Sequence, residues 1–322
     1  MRLGFALVVI SAVCAPASLF GAQLHNARVG VFTPGLSLGP VREGMEEGLA
    51  GLGYVGGKNI TFVVEDTKGT ASDLAARVAK LLSAKPDVIF TVSTDHAQVA
   101  KHATSTIPIV FAWVGNPILA GLIDSYPYSK NNLTGVTAIG DTLSGKRLEV
   151  LLEIAPKAKR LLVIVAANET VSVSSFKSLE AAAQKFGVQL VRRDVTDKKE
   201  IIKALEETPR RSVDAIFHVP STLVRTNLDL VVEKARRDRI PLAVHEDALL
   251  DRGALFSYGP SPRLVGLQAA NLLNKILKGT KPDKVMVETP ERFFLAINQT
   301  AAKQIDVNIP RELLERADRL IQ

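Results

Sequence analysis

The run DVIFTV (87–92) is apolar without interruption and rich in β-branched residues. Such a strand has no face suited to solvent, so it must be covered on both sides, as in the parallel sheets of α/β proteins. The run is one of a series. RVGVF (28–32), ITFVVED (60–66) and IPIVFAW (107–113) flank it, and VMVE (285–288) and RFFLAIN (292–298) come near the end. Between the two groups lie RLLVIVAA (160–167), VQLVRRDV (188–195), DAIFHV (214–219) and IPLAVHE (240–246). Helical stretches separate the strands. PVREGMEEGLAGLG (40–53) opens on Pro40, sets Val41, Met45 and Leu49 on one face and stops at Gly53, while Ser72 is suited to cap the next helix. This alternation predicts parallel sheets with helices on both faces.

One sheet of all these strands would be unusually large, so two lobes are expected. DVIFTVST (87–94) and DAIFHVPST (214–222) echo each other, as do IPIVFAW and IPLAVHE. NNLTGVT (131–137) reads as one crossing between lobes and SYGPSP (257–262) as another, since its glycine and prolines interrupt any element. A helix follows over 264–277. The expected division is residues 1–22 as a signal segment, 23–137 with 260–290 as the first lobe, and 138–259 with 291–322 as the second. Chain that returns to a lobe after leaving it makes a hinge rather than a loose linker.

The first 22 residues carry Arg2, an apolar run over 3–13 and then small residues. That is the pattern of a secretory signal, too short for a membrane span, with cleavage after Ala17 or Ala22. The sole cysteine, Cys14, follows Val13, which is bulkier than a lipid-anchoring site accepts. Cleavage would leave a chain with no thiol chemistry and no disulfide. The net charge of +7 is spread among interspersed Lys, Arg, Asp and Glu with no basic tract, which describes a solvated surface and points away from nucleic acid.

Ligands of parallel α/β sheets bind beyond the carboxyl ends of the strands. The residues there are polar or aromatic: Ser37 and Leu38, then Ser93, Thr94 and Asp95, then Trp113 and Asn116, then Asn168 and Glu169, then Ser221 and Thr222, and finally His245 and Glu246. They stand where helices begin, and free N–H groups at a helix start attract an anion. Each could instead cap its own helix, and Trp113 could either stack on a flat ligand or cover the core rim. His245-Glu246-Asp247 reads as an orienting hydrogen-bond set or a helix start.

Two motifs imitate enzymes. Gly35-Leu36-Ser37-Leu38-Gly39 fits the serine-hydrolase elbow, but Thr33-Pro34 separate it from the strand, and it follows the first strand instead of a later one. Gly140 to Arg147 nearly fits a phosphate loop, but Arg147 replaces the hydroxyl that would hold magnesium, so a helix start is expected. The five histidines lack metal-site spacing, and no cofactor or metal is expected.

Several longer stretches carry a resemblance. They are PDVIFTVSTDHAQVAKHATSTIPIVFAWVGNPILAGLI, NLTGV, SGKRLEVLLEIAP, GALFSYGP, ILKGTKPDKVMVETPERFFLAINQTAAKQI and IPRELLERADRLI, in that order over nearly all of the chain after residue 22. Together they resemble the tryptophan/tyrosine-type solute-binding proteins of bacterial ABC transporters. The resemblance implies the type I periplasmic binding-protein fold, an α/β fold of two Rossmann-like lobes joined by three crossings, in which a small solute is trapped by hinge closure. It implies a periplasmic, monomeric, non-enzymatic protein that serves a membrane permease and, indirectly, its ATPase. Positions matching Ser37, Thr94, Asn116, Glu169 and Glu246 face the ligand in that family. Two departures stand out. Ser221-Thr222-Leu223 replaces an acidic residue suited to an α-amine, and His245 replaces a small residue. Some members of that family bind aromatic amino acids; the departures put a zwitterion in question here and set beside it a neutral or carboxylated aromatic compound, with His245 as a second donor. The alternatives are a protein that presents its ligand to a membrane receptor and a secreted hydrolase using Ser37. A regulator of the same fold is disfavoured, since no helix-turn-helix precedes the first strand.

Overall fold

The computed structural model of the chain describes residues 26–67, 73–138 and 143–322, without the side chains of Leu36 and Ser37. The signal segment, Cys14, the Ser72 cap and residues 140–142 of the phosphate-loop likeness lie outside the described residues. Among the described residues the strands form two sheets.

The first sheet uses β1 (Ala27–Thr33), β2 (Ile60–Asp66), β3 (Val88–Val92), β4 (Ile109–Val114) and β5 (Leu133–Thr137), in the order β2-β1-β3-β4-β5. All its pairs are parallel. Between these strands run α1 (Gly39–Gly51), α2 (Leu74–Ser83) and α3 (Thr94–Ala103). β3 is buried along its whole length, as an unbroken apolar run requires.

The second lobe begins with α4 (Ser144–Ile154), β6 (Arg160–Ala166), α5 (Thr170–Phe186), β7 (Gln189–Val195) and α6 (Lys198–Glu206). It continues with β8 (Ala215–Phe217), α7 (Thr222–Thr226), α8 (Leu228–Asp238), β9 (Leu242–Val244) and β10 (Phe256–Pro260). After α9 (Pro262–Leu277) come β11 (Phe293–Asn298), α10 (Gln299–Gln304), α11 (Arg311–Glu315) and β12 (Arg319–Ile321). The sheet order is β12-β11-β10-β9-β8-β6-β7, antiparallel only between β10 and β11. The expectation of an α/β fold with parallel sheets in two lobes is met.

α9 returns to the first lobe, where Val265, Ala269, Leu272 and Leu273 share a core with Val41, Met45 and Leu49 of α1. The two helices approach closely because Gly44, Gly48 and Gly266 lack side chains. A Cβ at Gly266 would run into the Val41 carbonyl oxygen.

The structure differs from local expectations at three places. NNLTGVT supplies β5, an edge strand of the first sheet, and the chain leaves that lobe only afterwards. SYGP lies within β10 of the second sheet, so its glycine does not interrupt the strand, and the chain passes to α9 of the first lobe at Ser261. VMVE is not a strand. It contributes one isolated bridge, Glu288 to Val136.

Candidate functional site

The carboxyl ends of both sheets face one another across a cleft. Its inner part is a cavity of about 50 Å³ lined by Leu38, Ser93, Thr94, Asp95, Trp113 and Gly115 from the first lobe. Arg147, Val171, Ser221, Thr222, Arg225 and His245 line it from the second. At roughly 10–15 Å³ per water, it has room for about three to five waters. A larger hollow of about 360 Å³ at the cleft mouth shares Asp95 and Thr222 and adds His96, Asn168 and Glu169. The lobes touch beside the cavity, where a Cβ on Gly115 would lie 2.8 Å from Val171 Cγ2.

The first-lobe wall is built from main chain held in unusual conformations. Ser93 joins β3 to α3 at φ 83°, ψ 162°, a region that side chains normally avoid. Trp113 sits at φ 59°, where the β4–β5 register shifts between Ala112 and Val114. Both residues line the cavity. Ser93 Oγ lies 2.8 Å from His96 Nδ1, and Thr67 Oγ1 lies 3.0 Å from His96 Nε2. The bulky imidazole thus braces the turn from below, and burial lowers its pKa to about 4. Thr94 Oγ1 accepts a long bond from the Gly115 N–H, 3.4 Å. Asp95 is in the first turn of α3, where burial raises its carboxyl above the usual range, and no cation lies within ion-pair distance among the described residues.

The second-lobe wall is charged. Arg147 is fully buried; its Nε donates to the Tyr258 carbonyl at 3.2 Å and its Nη1 to the His218 carbonyl at 3.3 Å. Its guanidinium lies over the Phe217 ring, 5.4 Å from the centroid, and burial lowers its pKa to about 9. Arg225 donates to Glu246 Oε1, and Glu246 is wholly buried behind it. His245 Nδ1 lies 3.2 Å from His218 Nδ1. Gly259 passes close by, since a Cβ there would run into the His245 carbonyl oxygen.

The structure brings ten of the sequence-predicted residues to the cleft: Leu38, Ser93, Thr94, Asp95, Trp113, Ser221, Thr222 and His245 at the cavity, and Asn168 and Glu169 at the mouth. Of the other three, the side chain of Ser37 lies outside the described residues, and Asn116 and Glu246 bond other protein groups. Asn116 Oδ1 accepts from the N–H groups of Ile118 and Leu119, each at 3.1 Å, and so closes its own turn. Glu246 stands behind Arg225. Ser37 lies in a short 3-10 turn, Gly35–Leu38, that leads into α1. Two of the residues at the cleft also have local duties. Ser221 Oγ accepts from the Val224 N–H at 3.0 Å, capping α7. Glu169 accepts from the N–H groups of Thr222 (2.9 Å) and Leu223 (2.8 Å).

Sequence reasoning missed Arg147 and Arg225. Arg147 shares a buried face of α4 with Leu151 and Ile154, at i, i+4 and i+7, and that register was its available signal. Arg225 follows the Ser221 cap by four residues, inside a helix too short to show a periodic face.

Residues 27–321 match the family described as ABC transporter substrate binding protein. A tyrosine-binding protein of Clostridioides difficile is 28% identical over 84% of this chain and 78% of its own. The crystal structure of a conserved domain protein from Vibrio cholerae superposes with a TM-score of 0.87 at 28% identity, covering 92% of this chain and 99% of that one. A structure from Streptococcus pneumoniae in complex with L-Trp gives a TM-score of 0.87 at 23% identity, covering 92% of this chain and all of the other. Among the described residues no helix is long and apolar enough to cross a membrane, and no group of three or more metal-ligating side chains is placed to hold an ion.

Proposed function

Since the chain belongs to the ABC transporter substrate binding protein family, we propose that it captures a small aromatic carboxylate between its lobes and delivers it to a membrane permease. A separate ATPase drives that permease, and the captor works as a periplasmic monomer with no catalytic role, exported by the signal in residues 1–22. One observation carries the choice of solute: Arg147 and Arg225 are among the residues that line one wall of the inner cavity, and the start of α3 with Trp113 lines the other. Each of those polar features favours an anion, and the indole offers a flat face. The roughly three to five waters that the cavity has room for would occupy on the order of 100–150 Å³ as liquid, at about 30 Å³ each, about the bulk of one ring with a carboxylate.

Closure follows from differential affinity. The solute docks on one lobe, and the other rotates over it about the crossings. The closed state gains only those contacts that the open state lacks. Micromolar capture requires about 8 kcal/mol, within reach of a charge-assisted pair and a ring stack in a dry cleft.

A second reading is favoured by Asp95, whose carboxylate lines the cavity without a cationic partner among the described residues. An amino-acid zwitterion would place its ammonium there. Titration calorimetry with benzoate, tyrosine and tryptophan separates the two. Asp95→Asn is expected to leave benzoate binding intact or tighter, and to weaken an amino acid by about tenfold or more. No heat from any of the three ligands would end both readings.

A further inference from the structure

The His218 and His245 rings stack with centroids 5.1 Å apart at an interplanar angle of 25°. Both are buried and held neutral. Burial lowers His218 to about 3 and His245 well below the ordinary imidazole value, and Arg147 and Arg225 add to both shifts. Between two neutral rings, one Nδ1 must carry the hydrogen and the other must accept it.

The surroundings decide which. His218 Nε2 is buried and has no hydrogen-bond partner. A buried N–H without an acceptor is rarer than a buried lone pair without a donor. The charges of Arg147, Arg225 and Arg252 also oppose proton uptake by His218, which keeps the ring to a single hydrogen. His218 therefore carries its hydrogen on Nδ1 and donates it to His245. His245 must then carry its single hydrogen on Nε2, in a ring that forms part of the cavity wall.

The other charged groups near His245 come from several elements. Arg147 stands on α4, Arg225 on α7 and Asp95 on α3 across the cavity, and Glu246 follows it in the chain and is bound to Arg225. Among the described residues none of them bonds His245 Nε2.

We infer that His218 is a positioning residue that holds His245 as a neutral imidazole with Nε2–H turned to the cavity, so that the solute presents an oxygen acceptor there and binds without taking up a proton. The solute's place rests on the capture reading above; the tautomer belongs to the protein alone. A ligand group that can only donate is excluded from this corner of the site.

The test uses the full chain labelled with 15N-histidine. Five histidines are few enough to assign by single substitution. Without ligand, His245 is expected to show a protonated Nε2 and a bare Nδ1 throughout about pH 5 to 8. Protonation at Nδ1, or an imidazolium in that range, overturns the inference. His218→Asn keeps an N–H donor near Nδ1 and is expected to preserve the pattern and hold benzoate affinity within about threefold. His218→Asp offers only an acceptor and is expected to move the His245 hydrogen to Nδ1, weakening benzoate about tenfold or more near pH 8. An unchanged nitrogen pattern in folded His218→Asp also overturns it. If that variant does not fold, the wild-type spectrum and His218→Asn still decide. Calorimetry of benzoate in two buffers of different ionisation heat should show no net proton uptake, and uptake of one proton would refute the neutral donor. The expected nitrogen pattern with no benzoate binding supports the histidine pair and counts against the capture reading alone.

Discussion

Buried histidines stand on both sides of the cleft, and the two sides treat them differently. On the first lobe His96 is bonded at both ring nitrogens, to Thr67 and Ser93. On the second lobe His218 and His245 share a single bond through their Nδ1 atoms, and His245, whose ring lines the cavity, has no bond at Nε2 among the described residues. Burial holds all three below their ordinary pKa. A polar side chain completed within the protein can only hold shape, as His96 holds the Ser93 turn. One left incomplete beside a cavity has capacity for something that arrives later. The first lobe thus supplies a rigid seat, and the second supplies the groups whose hydrogen bonding a solute would finish.

The widest break in that comparison comes from Arg147. Arg147→Met removes a buried cation from the second-lobe wall and should weaken solute binding by more than about 100-fold, the range for losing a desolvated charge-assisted contact. Arg147→Lys should recover little, because a single ammonium cannot reproduce two donors fixed toward the Tyr258 and His218 carbonyls. Benzoate and tyrosine titrations measure both variants. Wild-type affinity in Arg147→Met would move the recognition work to the first lobe.

Acid comes next in size and tests what the two sides share. The native form of each buried histidine is neutral, while the unfolded chain protonates near pH 6.5. Unfolded protein therefore binds more protons as pH falls, and stability declines. The contribution is complete above about pH 6.5 and is lost through about 4 for His96 and about 3 for His218. Each group accounts for at most ~1.4 kcal/mol per pH unit, so about 2 kcal/mol between pH 6.5 and 5. Urea unfolding of His96→Phe at those two pH values should show a loss smaller than wild type by about that amount. An equal loss in both proteins would mean that His96 titrates like an exposed imidazole.

How much of this was legible in the sequence depended on the range of the interactions involved. β2 was read to the residue because ITFVVED is bounded by polar and turn-forming chain, and β3 because an unbroken apolar run has few other uses. β12 was not read. Its three residues, RLI, carry no pattern and are held by parallel pairing to β11. VMVE has strand composition, yet it runs along the first lobe and meets β5 at one bridge. At the site, the strand-end rule found both walls of the cleft, because it depends on topology and not on particular side chains. It could not reveal that Asn116 closes its own turn or that Glu246 sits behind Arg225, since both facts rest on side-chain packing. Arg147 was masked by a likeness to a phosphate loop, and its burial depends on a sheet that the local sequence does not mention. The His218–His245 pair joins residues 27 apart, each just past the end of one of two neighbouring strands, and only the β8–β9 register brings them together.

The smallest effect probes the first-lobe seat most sharply. Ser93 occupies a conformation that is open mainly to glycine, at a strain of about 1–3 kcal/mol. Ser93→Gly releases that strain. It also loses the bond to His96, worth about 0.5–1.5 kcal/mol, and gives the unfolded chain extra freedom worth about 0.5–1 kcal/mol. These contributions nearly cancel, so chemical denaturation should place the variant within about 1 kcal/mol of wild type. Solute affinity should fall all the same, because the released His96 no longer fixes the start of α3. A large loss of stability would mean that the Ser93–His96 contact, and not the backbone conformation, governs the turn. Unchanged affinity would make the first-lobe seat a passive wall and leave recognition to the charged side alone.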